Sequence, residues 1–343
     1  MRKKHFIFLL LLIALTAMVN ACSKKDRGRQ LTPLRLTIPD GWPEPLYTFS
    51  NNPLTQEGFD LGKKLFFDGI LSKDGNFPCS SCHQPFAAFA TYDHDFSHGF
   101  NNQFTTRNAP GLFNLAWHKE LHWDGGINHI EVQALAPLTA SNEMAETVES
   151  VVAKLNADPE YKRLFGKAFG NETISSQQML YALTQYMSSL VSANAKYDRV
   201  MRGSDRFSEA EEKGYQVFKI NCASCHQEPL FTDLSFRNNG LQMNPFIMDA
   251  GRMRITGLPE DSLKFKVPSL RNLMLTFPYM HDGRFRTPMQ VLNHYSDGIT
   301  TSSTLDPLLK EGIPLSAVDK FYLLEFFKTL TDSSFVEDKR YRQ

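Results

Sequence analysis

"CSSCHQPFAAFATYDHDFSHGF" runs from Cys79 to Phe100, and "CASCHQEPLF" begins 143 residues after Cys79, at Cys222. Both open with Cys-x-x-Cys-His. The 343-residue chain has five cysteines, and these two units take four of them: Cys79, Cys82, Cys222 and Cys225. A disulfide framework suits small exported domains that lack a core, whereas this chain is 42% apolar and its cysteines are not scattered. A shared four-cysteine zinc site leaves unexplained why His83 and His226 each directly follow the second cysteine. Covalent c-type haem uses all three residues, since two thiols form thioethers with the porphyrin vinyl groups and the adjacent imidazole reaches the iron. The pattern therefore predicts two covalently bound haem c groups, with His83 and His226 as iron ligands.

The fifth cysteine has another reading. Arg2, Lys3 and Lys4 precede an apolar run from Phe6 to Val19 that closes in "VNAC", with Ala21 before Cys22. This predicts a bacterial lipoprotein signal over 1–21, with Cys22 lipidated and the protein held by its lipid on the periplasmic side of the envelope. An ordinary signal peptide or an uncleaved anchor is the alternative, and either also places the rest of the chain outside the cytoplasm. The polar, then proline-rich stretch 22–46 is expected to be a tether. Basic and acidic side chains balance at 37 each, which leaves no long-range field to favour nucleic acid as a partner.

The body reads as a repeat. "GKKLF" from Gly62 and "GYQVF" from Gly214 each precede a haem motif. Each half also closes in an apolar helical pattern, "SSQQMLYALTQYMSSLVS" from Ser175 and "SAVDKFYLLEFFKTLTD" from Ser316, the latter serine a plausible N-cap. Alternating β patterns are scarce. The expected fold is mainly α, with two cytochrome c-like haem domains in tandem over 47–200 and 201–343, meeting near "KYDRVMRGSDRFSEAEE" from Lys196.

Beyond the haem motifs, "RNAP", "WDG", "EVQALAP", "NEM", "VPSLRN" and "FPYMHDGRF" occur in that order. In these, from about Asn52 to Leu330, the sequence resembles the bacterial diheme cytochrome c peroxidases and their MauG-type relatives, which oxidise a protein substrate. The resemblance implies that Trp123 of "WDG" relays electrons between the haems. It also implies that Gln133 belongs to the distal pocket of the N-terminal haem, that Glu143 of "NEM" is the catalytic glutamate there, and that Pro137 is a pocket proline of the MauG type. A carboxylate suits the role, because peroxide must lose a proton from one oxygen and gain one on the other before its O–O bond breaks; Gln133 would hold peroxide or water by hydrogen bonds. The competing reading places Glu143 in the first turn of a helix formed by "NEMAETVESVVAKL". Asn108 of "RNAP", with the carbonyls of Thr276 and Pro278, matches positions that bind calcium in the peroxidases, although Asn108 would equally cap a turn.

The same resemblance implies a distal histidine on the loop after the first haem motif. His98 of "SHGF" is favoured and His94 is the alternative, against a reading of either as a surface histidine. At the second haem the peroxidases use methionine fourteen residues after the histidine of "HDG", and counting from His281 gives Tyr295. That departs from the peroxidases and agrees with the MauG type. A thioether raises the haem potential, whereas tyrosinate stabilises ferric and higher states. Met280, Met289 and His294 are rivals for the position. The expected activity is reduction of hydrogen peroxide with electrons from a small cytochrome c or cupredoxin. A MauG-type oxidase acting on a protein and a non-enzymatic electron-transfer module are the alternatives, and some relatives are homodimers.

Overall fold

A computed structural model describes residues 30–171 and 173–343; the lipidation expected at Cys22 lies outside the described residues. The chain is mainly helical. The described α-helices are α1 Gln56–Phe67, α2 Cys79–Cys82, α3 Leu135–Thr139, α4 Val148–Ala157, α5 Pro159–Phe169, α6 Ser176–Ser188, α7 Lys196–Met201, α8 Glu209–Asn221, α9 Met253–Thr256, α10 Pro288–Asp297, α11 Ala317–Lys328 and α12 Ser333–Glu337. Two short strands, β1 Phe236–Arg237 and β2 Phe265–Lys266, pair antiparallel.

Two helix pairs organise the body, α1 against α6 and α8 against α11. At each crossing a glycine lets the backbones touch. A Cβ on Gly62 would lie 1.9 Å from the Ala182 carbonyl oxygen, and one on Gly214 would lie 2.0 Å from that of Tyr322. One turn further along, Phe66 and Phe218 are fully buried and meet aromatic rings of the opposing helix, Tyr186 at 5.2 Å and Phe326 at 5.1 Å between centroids. The Gly-x-x-(Leu/Val)-Phe signature thus encodes a close crossing and the aromatic pair that seals it. The sequence also sets where these helices begin. Ser175, Ser208 and Ser316 each form a capping box at the start of α6, α8 and α11, a device typically contributing about 1 kcal/mol.

The core follows the pairs. One cluster is built around Leu61, Leu65, Phe66, Phe165 and Tyr186, the other around Phe218, Phe231, Leu323 and Phe326. The end of the chain returns to the first cluster: Phe335 is buried there, and the Tyr186 hydroxyl donates to the Tyr341 carbonyl at 2.5 Å. The stretch expected to be a free tether is packed from Thr32 onward. Leu34 N donates to the Leu54 carbonyl at 3.0 Å, Thr32 N donates to Glu57 at 3.0 Å, and Trp42 meets Trp117 edge-on at 5.1 Å. Proline limits helix formation there, but Leu34 and Trp42 still supply apolar surface to bury. Among the described residues no helix is long and apolar enough to cross a membrane.

A candidate diheme cavity

Each Cys-x-x-Cys-His unit is a single helical turn or its equivalent, with the histidine amide bonded back to the first cysteine's carbonyl: His83 N to Cys79 O and His226 N to Cys222 O, both at 2.9 Å. At the second unit Cys222, Cys225 and His226 all line one cavity; at the first Cys82 and His83 line it too, while Cys79 packs against the core. His83 Nδ1 lies 2.8 Å from the Phe89 carbonyl, and His226 Nδ1 lies 3.2 Å from the Phe231 carbonyl and 3.1 Å from that of Pro268. A carbonyl can only accept, so each Nδ1 carries the proton and each Nε2 keeps its lone pair. Burial drives the His83 pKa down to about 4 and lowers that of His226 as well, which favours the neutral imidazole at both. None of the four cysteines is in a disulfide, and burial pushes the thiols of Cys79 and Cys222 up to about 12.

Both units open into one cavity of about 600 Å³. Its walls include Cys82, His83, Cys222, Cys225 and His226, together with Trp123, Gln133, Pro137, Glu143 and Tyr295. Residues that sequence reasoning assigned to two separate haem pockets and the wall between them thus share a single space. Unpaired thiols, free Nε2 atoms and an orphaned polar group, the buried and unpartnered Oε1 of Gln133, fit covalent haem at both units.

Trp123 stands where the halves join. Its indole Nε1 donates to the Asn108 carbonyl at 2.9 Å, and its own carbonyl accepts from Lys266 N at 2.7 Å. Beneath it Arg107 donates to Asp124 at 2.6 Å and to both oxygens of Asp249, at 2.6 and 2.8 Å. Three of the quoted motifs therefore meet at one junction, with "RNAP" supplying Arg107 and Asn108, "WDG" supplying Trp123 and Asp124, and "HDG" supplying His281, whose carbonyl accepts from Asn108 N at 2.8 Å.

Glu143 is not in a helix. α4 begins at Val148, capped by Thr147, so the helix-dipole reading of Glu143 is excluded and its position has to be explained by the cavity it lines. Burial raises its carboxyl pKa. The loop that carries it is pinned by Gly99, whose missing side chain leaves room for the Asn142–Glu143 backbone, and by Phe100 N, which donates to the Glu143 carbonyl at 2.7 Å.

His94 and His98 are exposed and do not line the cavity; the His98 ring packs on Phe104 with centroids 4.4 Å apart. Asn108, Thr276 and Pro278 all reach the cavity wall, and the Asn108 amide donates to the carbonyls of His94 and Asp95 at 3.1 and 3.2 Å. At the second unit Tyr295 lines the cavity, and burial raises its phenol pKa while the Asn239 side chain opposes that shift. Of its rivals, Met280 shares the cavity with its sulfur bonded by Asn239 at 3.4 Å, His294 is bonded through Nε2 to the Asn239 carbonyl at 3.0 Å, and Met289 is not among the lining residues.

Some lining residues went unread in the sequence. His118 and His122, four apart in "WHKELHWDG", both line the cavity, as does Lys266. Burial holds His118 down to about 3 and Lys266 down to about 8, and His118 Nδ1 has no hydrogen-bond partner. Two histidines immediately before "WDG" were a usable signal; a lysine in a two-residue strand was not.

Residues 56–206 match the family model described as di-haem cytochrome c peroxidase. The chain is 36% identical over 304 residues to the methylamine utilization protein MauG of Methylophilus methylotrophus, covering 85% of this chain and 86% of that one. It is 35% identical over 240 residues to the cytochrome c551 peroxidase of Nitrosomonas europaea, covering 68% and 71%. Among solved structures, a MauG-like protein associated with microbial copper homeostasis superposes with a TM-score of 0.82 at 33% identity, covering 90% of this chain and 98% of that one.

Proposed function

Because this chain belongs to the diheme cytochrome c peroxidase and MauG family, we propose that it reduces hydrogen peroxide to two waters, taking two electrons from a small cytochrome c or cupredoxin and two protons from solvent. The observation that carries this reading is the single cavity that joins both Cys-x-x-Cys-His units and has Glu143, Gln133 and Trp123 in its walls. When bound, the haem of His83 supplies the iron that takes peroxide and the haem of His226 supplies electrons. The protein's own residues do the rest. Glu143, whose burial makes it hold a proton more tightly than an ordinary carboxylate, takes a proton from one peroxide oxygen and returns it to the other. Gln133 orients the peroxide through its otherwise unpartnered amide oxygen and its N–H groups. Trp123, bonded to Asn108 and to Lys266, carries the electron between the two sites.

In the same reading the chain folds as two cytochrome c-like domains in tandem, each built on one helix pair. Asn108 with the carbonyls of Thr276 and Pro278 holds a calcium ion at their junction, and the protein is exported and anchored through Cys22. The test is peroxide consumption by the purified diheme protein, started fully ferric and started one-electron-reduced, with a reduced small cytochrome as donor. Rapid turnover supports the peroxidase; no turnover from either state overturns it. Activity from the ferric state alone would leave His98 and His94 without a gating role, in keeping with their exposure.

A second reading is favoured by Tyr295. A tyrosine rather than a methionine at the second unit fits an oxidase of the MauG type, which uses peroxide equivalents on a protein partner. A long-lived oxidised state after peroxide addition, without donor turnover, would select it.

A further inference from the structure

We propose that Asn239 selects the sixth ligand at the second haem unit, tying Met280 away so that Tyr295 is the group presented there. This rests on the reading of Tyr295 as that ligand. Asn239, Met280, Tyr295 and His226 all line the cavity, and the Asn239 side chain contacts both Met280 and Tyr295, so the competition is between neighbours.

Asn239 is held rigidly. The preceding Asn238 is buried and donates to Ser302 Oγ at 3.0 Å and Thr304 Oγ1 at 2.8 Å, while its Oδ1 accepts from Gly240 N at 2.9 Å. The Asn239 amide is then oriented by its own bonds. Oδ1 accepts from Leu241 N at 3.2 Å, which fixes Nδ2 as the group that faces the Met280 sulfur, 3.4 Å away. A thioether that accepts an N–H in this way has one of its two lone pairs engaged and its direction set. Met280 is further constrained by a left-handed backbone, φ +72°, at the start of the turn closed by the Tyr279–Phe285 bridge.

The main chain of the same residue engages the other rival, which does not itself line the cavity. His294 Nε2 lies 3.0 Å from the Asn239 carbonyl, so that nitrogen is protonated and donating and cannot also bind a metal. One residue therefore engages both competing side chains, by its amide and by its carbonyl, while its side chain also supports the phenol of Tyr295, which lines the cavity. Softness gives the choice its consequence: a neutral sulfur would favour the reduced haem, an anionic oxygen the ferric one.

The experiment uses the purified diheme protein and the variants Asn239→Leu, Asn239→Asp and Met280→Leu, with each Asn239 variant also combined with Met280→Leu. Asn239→Asp keeps the shape and loses the donor, which covers the case in which the leucine variant does not fold. Near-infrared absorption, electron paramagnetic resonance and a redox titration of each haem are the readouts. The wild type and Met280→Leu are expected to lack the sulfur-to-iron charge-transfer band. Both Asn239 variants should gain it and shift the second haem to higher potential, and adding Met280→Leu should abolish both changes. Asn239 variants that keep the wild-type spectrum and potential, or changes that survive the addition of Met280→Leu, overturn the inference. A sulfur band already present in the wild type instead overturns the Tyr295 reading, and the inference with it.

Discussion

Trp123 donates its indole N–H to the main-chain carbonyl of Asn108 at 2.9 Å. Both residues belong to the first half of the chain, and each is tied to the second: Asn108 N donates to the His281 carbonyl at 2.8 Å and the Trp123 carbonyl accepts from Lys266 N at 2.7 Å. An indole fixed in this way changes little in position as it gives and takes an electron. Trp123→Phe keeps an aromatic ring but loses the indole N–H and its bond, which alone costs about 1 kcal/mol in stability. It should retain both haems and bind peroxide, yet turn over more slowly with donor. Stopped-flow measurement of electron transfer between the sites checks this; an unchanged rate would remove Trp123 from the path.

Glu143→Gln should lower peroxide turnover by about 10²–10⁴-fold, the usual contribution of a positioned acid–base group, while both haem spectra stay as in the wild type. Its burial raises the carboxyl pKa, so the ionised form gains ground only at a higher pH than for an ordinary glutamate. Turnover that needs the carboxylate therefore falls as pH drops through that raised value. For stability the sign is opposite: the folded chain binds this proton more tightly than the unfolded one, so this group's contribution declines as pH rises from the ordinary to the raised pKa. The pH–rate profile of both proteins is the measurement. An acidic limb that persists in Glu143→Gln belongs to another group.

How much of this was legible beforehand depends on range. Local chemistry could be read directly: the haem pentapeptides, the serine cap of α11, and the glycine–phenylalanine repeat each act within a few residues. The region around Glu143 was misleading because its helical pattern is real but begins at Val148, after a turn that the residue pattern did not mark. The packing of Thr32 and Leu34 against α1 was hidden by a tether-like composition. Asn239 and Lys266 could not be found, since each matters only through partners many residues distant, Met280 and His294 for the one and Glu120 for the other, whose carbonyl accepts from Lys266 Nζ at 2.9 Å.

The two glycine crossings make a paired prediction. Alanine at Gly62 or Gly214 would put a methyl about 2 Å from a backbone carbonyl oxygen of the facing helix, and backbone cannot step aside as a side chain can. Each substitution should cost at least the ~1–3 kcal/mol typical of overpacking. Thermal unfolding followed at each haem separately should show Gly62→Ala loosening the first unit and Gly214→Ala the second. Equal effects at both haems would mean that the halves do not respond independently.

Arg271 is fully buried and donates to both oxygens of Asp198, at 2.9 and 2.7 Å, and to the Pro229 carbonyl at 2.8 Å, with its guanidinium 4.6 Å from the centre of the Trp42 ring. Asp198 also accepts from Ala195 N at 2.9 Å, which anchors the start of α7. Removing one partner leaves the other charge buried and unpaired, so Arg271→Met or Asp198→Leu should each cost about 3–5 kcal/mol. Changing both together removes the two charges at once, and the double variant should be more stable than either single one. Denaturant unfolding of the four proteins measures the coupling. If the double variant is as unstable as the sum of the singles, the pair contributes through its separate bonds to Pro229 and Ala195 and not through the meeting of the two charges.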